Sequence, residues 1–111
     1  MEILDATFSA LSDPTRRAIL SRLAAGEATV MELAQPFAMS QPAISRHLRV
    51  LEEAGLITRR VDGAKRPCRL APGGIAQIDE WLEQLRRAME ANYARLDKVL
   101  AAQTRKRKDK V

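Results

Sequence analysis

The tightest constraint on this chain lies between Thr29 and Ala54, where caps and prolines force two helices to start and stop close together. Thr29-Val30-Met31-Glu32 has the form of a capping box: the threonine oxygen accepts the Glu32 amide, and the glutamate reaches back to the amide of Thr29. The helix it opens is short. Pro36 has no amide to offer residue 32 and disfavours helical geometry at Gln35, so the helix must end or distort there. Ser40 is the next cap, Pro42 is tolerated in the first turn, and Ile44, Leu48 and Leu51 form an apolar stripe reaching Ala54-Gly55. Only Phe37, Ala38 and Met39 join the two helices. Three residues cannot reverse the chain into a long antiparallel contact, so the helices must cross steeply. Leu33, Phe37, Met39, Ile44 and Leu48 would fill the crossing, with Ala34 at the close approach, which is the pattern of a helix-turn-helix.

The flanking segments extend this unit on both sides. Residues 2–11 set Ile3, Leu4, Phe8 and Leu11 on one helical stripe. Asp13-Pro14 supplies a cap and a first-turn proline for a helix over 14–25, which buries Ile19 and Leu23 and closes at Gly26. Between Gly55 and Pro72, LITRRV and PCRL flank Asp62-Gly63, a strong reversal signal, so a β-hairpin with a basic tip is expected. Beyond Gly74 there is neither Gly nor Pro, and Ile75, Ile78, Leu82, Leu85, Met89, Leu96 and Val99 recur at helical spacing. This predicts one long helix over 73–102, followed by a basic, disordered tail over 104–111. No internal repeat is present. The expected fold is mainly α with a small β-hairpin, one domain over residues 1–103.

Charge placement narrows the function. Residues 40–71 carry seven Lys/Arg against three Asp/Glu, and residues 104–111 carry five against one, so a net charge of +5 is concentrated in two stretches and the remainder is negative. Such clusters suit a polyanion, although a basic solvated surface would have the same composition. Measured at about 100° per residue from Ile44, the face of the Ser40 helix opposite its core holds Pro42, Arg46 and Arg49, with Gln41 and Ser45 on the flank. Gln41 and Ser45 have the reach for base edges, Arg46 for guanine or a phosphate, and Arg49 for the backbone. His47 lies about 60° off the core stripe, toward the first helix of the motif, and is read as packing or a phosphate hydrogen bond. In the hairpin, Lys65 and Arg66 are expected to contact DNA, with Arg60 as a further candidate; the competing reading is a charged edge strand.

Other chemistries find little support. One His, one Cys, and neither a Gly-rich phosphate loop nor a Ser/His/Asp set argue against an enzyme. No apolar run is long enough for a membrane span and no secretory leader is visible, so a cytoplasmic location is expected. Cys68 cannot form an internal disulfide; it shares a strand face with Leu70 and is read as a buried structural thiol.

With these residues laid out, the chain resembles the ArsR-type winged helix-turn-helix repressors over nearly its whole length. The matching stretches are FSALSDPTRRAILSRLAAGE, MSQPAISRHLRVLEEAGLITRR and the Asp62-Gly63 hairpin, and Asp79-Glu80-Trp81-Leu82 is similar to an element of the small autorepressors in that family. The resemblance implies a homodimer that represses transcription by covering a double-stranded operator. It also implies recognition contacts at Ser40, Gln41, Ser45, Arg46 and His47, and a wing over Asp62–Arg66. The metal sensors of the family carry cysteines in the region that here reads VMELAQPF, or histidines on the last helix; neither is present, so no metal site and no cofactor is expected. No effector is legible. One module reads too few base pairs to be selective, so two-fold symmetry is needed. The 3-4 spacing through Leu82, Leu85 and Met89, continued to Asn92 and Leu96, predicts a dimer seam, with Leu4 and Phe8 beside it; the competing reading is that the stripe covers its own domain's core, and some of each is expected. The alternative is an architectural or nonspecific nucleic-acid binder that relies on the basic tail.

Overall fold

The computed structural model describes residues 2–109, with side chains through residue 105. It separates into two compact units, the first ending at Ile78 and the second beginning at Asp79. Helices α1 (Glu2–Leu11), α2 (Pro14–Leu23), α3 (Val30–Ala34) and α4 (Gln41–Glu53) are followed by strands β1 (Ile57–Arg59) and β2 (Cys68–Leu70), then by α5 (Ala76–Asp109).

The capping residues act as their chemistry requires. The Asp13 carboxylate accepts the Arg16 amide and Pro14 opens α2; Thr29 and Glu32 form the reciprocal capping box of α3; Ser40 Oγ accepts the Ala43 amide at the head of α4. Each cap satisfies an amide that the first helical turn leaves without a partner. The core of the first unit is aliphatic: Ile19, Leu33, Ile44, Leu48 and Leu51 are fully buried, and Phe37, Met39 and Ala34 pack against them in part. The steep crossing of α3 and α4 therefore closes on the residues expected from sequence.

On α1 the buried line is Leu4, Thr7 and Ala10, while Ile3 is 60% and Phe8 41% exposed, which corrects the predicted stripe of Ile3, Leu4, Phe8 and Leu11. Thr7 is accommodated because its hydroxyl donates to the Ile3 carbonyl at 2.8 Å, so a polar residue can take an interior position. Apolar periodicity alone does not reveal that self-satisfaction.

Strands β1 and β2 pair antiparallel, with Ile57 opposite Leu70 and Arg59 opposite Cys68. The reversal centres on Gly63 and Ala64. Asp62 and Lys65 exchange both backbone hydrogen bonds at 3.0 Å, and Gly63 has φ 62, as a two-residue loop with glycine at its first central position requires. One pairing was not anticipated: Ala28 and Cys68 exchange amide–carbonyl bonds of 3.1 and 2.8 Å, so the segment before α3 is tied to the inner edge of the hairpin. At the exit from the sheet, a Cβ on Gly74 would lie 2.8 Å from the Gly55 carbonyl oxygen, so glycine is needed for the close approach.

The last helix begins later and runs further than predicted, over 76–109 in place of 73–102. Gly73 and Gly74 lie in the turn before it. The helix continues through residues 104–109, which were expected to be disordered, and residues 110–111 of the expected tail lie outside the described residues. Arg, Lys and Gln are good helix formers and no breaker intervenes, so nothing local ends the helix.

Candidate nucleic-acid interface

Helix α4 presents two opposed faces. Ile44, Leu48 and Leu51 are buried, whereas Ser40, Gln41, Pro42, Arg46 and Arg49 are exposed and Ser45 is half-buried. The two arginine side chains make no hydrogen bond or ion pair among the described residues, so their guanidinium groups are available to a ligand. Ser40 is committed through its oxygen to capping, which leaves its hydroxyl proton for an acceptor.

The hairpin divides its cations into two groups. Lys65 and Arg66, at the tip, are exposed and make no ion pair among the described residues. Arg60, read from sequence as a DNA contact, is engaged elsewhere: its Nε and Nη2 donate to the Glu27 carboxylate at 3.0–3.2 Å, and Asp62 lies 3.8 Å from its Nη1. The hydrogen bonds from Arg60 lower the Glu27 pKa below the usual carboxylate range. The fork joins the loop before α3 to the base of the wing, and no sequence signal announces it, because the partners are 33 residues apart. Arg59, also at the base, has its Nε 3.8 Å from Glu52 at the end of α4.

His47 takes a different direction from the one expected. Its Nδ1 is 3.3 Å from Arg16 Nη1 and 3.9 Å from the Asp13 carboxylate, so the ring turns to the start of α2 and not to α3. The hydrogen bond from the Arg16 amide, with the charges of His47 and Arg16 adding to it, holds the Asp13 pKa below its ordinary value. Arg16 was absent from the sequence-derived site. Its position on α2 carries no signal of a contact 31 residues away.

This arrangement, a crossed helix pair with a bare polar face beside a basic hairpin, has clear relatives. Residues 13–59 match the model of the bacterial regulatory protein arsR family. The HTH-type transcriptional regulator Rv2034 of Mycobacterium tuberculosis is 41% identical over 92 residues, which are 83% of this chain and 86% of that protein. The chain belongs to the ArsR family. Among solved structures, the ArsR family transcriptional regulator RHA00566 superposes with a TM-score of 0.75 at 40% identity, over 80% of this chain and 92% of its own. The homodimeric winged helix-turn-helix DNA-binding domain Mb0332 of Mycobacterium bovis superposes at 0.63 with 26% identity, over 78% of this chain and 80% of its own. The protein is thus a transcription regulator with a winged helix-turn-helix DNA-binding domain, and its relatives are regulators and not enzymes.

Within this ArsR-family regulator, α4 is the second helix of the helix-turn-helix and β1–β2 the wing. Of the residues expected at a dimer seam, Leu82, Leu85, Met89 and Leu96 are 37–53% exposed along α5, and Asn92 is exposed between them. Phe8 is also partly exposed, but Leu4 is 8% exposed and buried within the single chain, so it has no surface to give a partner. Cys68 is fully buried, and burial raises its thiol pKa; Leu70, expected on the same buried face, is 38% exposed. Among the described residues, no helix is long and apolar enough to cross a membrane.

Proposed function

We propose that this regulator is a homodimeric repressor that binds one operator through two copies of α4, with the wing tips on the flanking backbone. The observation that carries this reading is the unpaired polar face of α4, Gln41, Arg46 and Arg49, accompanied by Lys65 and Arg66 on the adjacent element. Arg46 and Gln41 read base edges in the major groove, while Arg49, Lys65 and Arg66 hold phosphates. Two half-sites about one helical turn, roughly 34 Å, apart follow from two-fold symmetry. The exposed α5 stripe of Leu82, Leu85, Met89 and Leu96 supplies the apolar surface that joins the copies. The homodimeric state of Mb0332 supports the same assembly.

Control in this reading does not run through a transition metal. The one histidine has its Nδ1 engaged with Arg16, and the one cysteine is buried with a raised thiol pKa, so neither offers the thiolate or paired imidazoles such a site requires.

The test is selection of bound fragments from genomic DNA, followed by competition between the recovered duplex and random sequence. The operator should be held on the order of a thousandfold tighter. Equal competition by random duplex would replace this reading with nonspecific binding. Met89→Glu should give a monomer by sedimentation and weaken operator binding; a dimer of unchanged stability would move the interface elsewhere.

A further inference from the structure

The geometry points to Arg16 as a positioning residue for operator binding, acting by fixing which nitrogen of His47 carries the proton. The inference rests on the reading of α4 as the recognition helix.

Arg16 lies in the first turn of α2, and its guanidinium bridges three helices. Nε donates to the Ala10 carbonyl at 2.7 Å and Nη2 to the Ser9 carbonyl at 3.1 Å, both in the last turn of α1; the Ser9 carbonyl also accepts from the Ser12 amide and hydroxyl. The two guanidinium bonds fix the plane of the group. The remaining nitrogen, Nη1, then stands 3.3 Å from His47 Nδ1 on α4. A guanidinium has donors only, so the 3.3 Å contact is a hydrogen bond when Nδ1 presents its lone pair; the Asp13 carboxylate, 3.9 Å from the same nitrogen, is beyond hydrogen-bond distance. In the neutral ring the single proton is therefore on Nε2. Among the described residues Nε2 has no hydrogen-bond partner, and it is not fully buried although the His47 side chain is only 19% exposed, so this N–H is left for an acceptor from outside the chain.

The ligand this N–H suits is a phosphodiester oxygen: an acceptor, anionic, and repeated along any duplex on which α4 is docked. A neutral donor releases no counterion, so its contribution should be independent of salt, in contrast to that of Arg49 or Lys65. Arg16 does not touch DNA here. It removes the other tautomer, which would turn a bare lone pair toward the phosphate, and it holds the ring by way of α1.

The protein has a single histidine, so its ring signals are unambiguous. Long-range ring ¹⁵N–¹H spectra of the free protein, recorded where the ring is neutral, should show a protonated Nε2 and an unprotonated Nδ1; the reverse pattern overturns the proposal. The second measurement is binding to the selected operator by wild type, Arg16→Gln, His47→Asn and the double variant. Asparagine keeps an acceptor near the position of Nδ1 and has nothing where Nε2–H stood. His47→Asn should cost about tenfold in affinity per protomer, the size of a lost hydrogen bond to a charged group, and so about a hundredfold for the dimer, with the salt slope unchanged. The double variant should lose no more than the larger single loss, because both act through one contact. Multiplying losses, a flattened slope for Arg16→Gln, or full affinity in His47→Asn would each overturn the proposal. If Arg16→Gln does not fold, the ring spectrum and His47→Asn decide the matter. Failure of the recognition-helix reading is seen separately, as wild-type protein that does not prefer the operator to random duplex.

Discussion

The salt dependence of operator binding should separate the wing residues proposed to touch DNA from the one proposed to hold the wing in place. Arg46, Arg49, Lys65 and Arg66 are exposed and make no ion pair among the described residues, whereas Arg60 is held in a forked bond to Glu27 and is not counted as a contact. Of these, Arg49, Lys65 and Arg66 are the proposed phosphate contacts; a two-fold dimer brings two copies of each of the three, and at about 0.9 per phosphate the slope of log K against log salt is about −5. A fourfold rise in salt then weakens binding on the order of 10³-fold. Lys65→Ala removes one contact per protomer and should flatten the slope by about 1.8. Arg60→Gln should leave the slope within about 0.5 of wild type while lowering affinity at every salt concentration, because it loosens the base of the wing without removing a phosphate contact. Fluorescence anisotropy with the selected operator, from about 50 to 400 mM potassium chloride, measures these slopes. If Arg60→Gln flattens the slope as much as Lys65→Ala, Arg60 leaves Glu27 for a phosphate, and its assignment as a clamp is wrong.

Three further outcomes follow from packing and electrostatics. Leu48 is fully buried where α3 crosses α4, so Leu48→Ala should cost about 2–5 kcal/mol in urea unfolding; a loss under about 1 kcal/mol would mean that the crossing is not closed. Gly74→Ala drives a Cβ to 2.8 Å from the Gly55 carbonyl and should cost about 1–3 kcal/mol, whereas an unchanged melting temperature would show that the turn yields freely. Asp13 and Glu32 have folded pKa values below their ordinary 3.8 and 4.5, held down chiefly by the amides of Arg16 and Thr29. Their stabilisation is complete above those ordinary values and fades as pH falls through the lower folded ones, so Tm should hold to about pH 5 and drop in stronger acid. Asp13→Asn/Glu32→Gln should shrink that drop; an identical acid profile would remove both caps from the account.

Much of the site was legible because caps and turns are local events. Thr29, Glu32, Ser40 and Pro42 delimit α3 and α4 through atoms a few residues away, and the α4 stripe of Ile44, Leu48 and Leu51 places Arg46 and Arg49 on the opposite side by helical geometry alone. Periodicity did less well on α1. Thr7 is buried because its own helix satisfies its hydroxyl, and Phe8 is displaced from the predicted stripe.

What the sequence determined by itself was therefore the capped starts of α2, α3 and α4, the hairpin and the family: properties set by neighbours along the chain or by motifs met at fixed spacing. The tertiary structure alone decided how the cations are used. Arg60 and Arg66 look alike in sequence, yet one is bound to Glu27 and the other is exposed at the wing tip; Arg16, unremarkable on α2, meets His47. The physical reason is range. A hydrogen bond depends on distance in space, and partners more than thirty residues apart are brought within reach only when the helices pack.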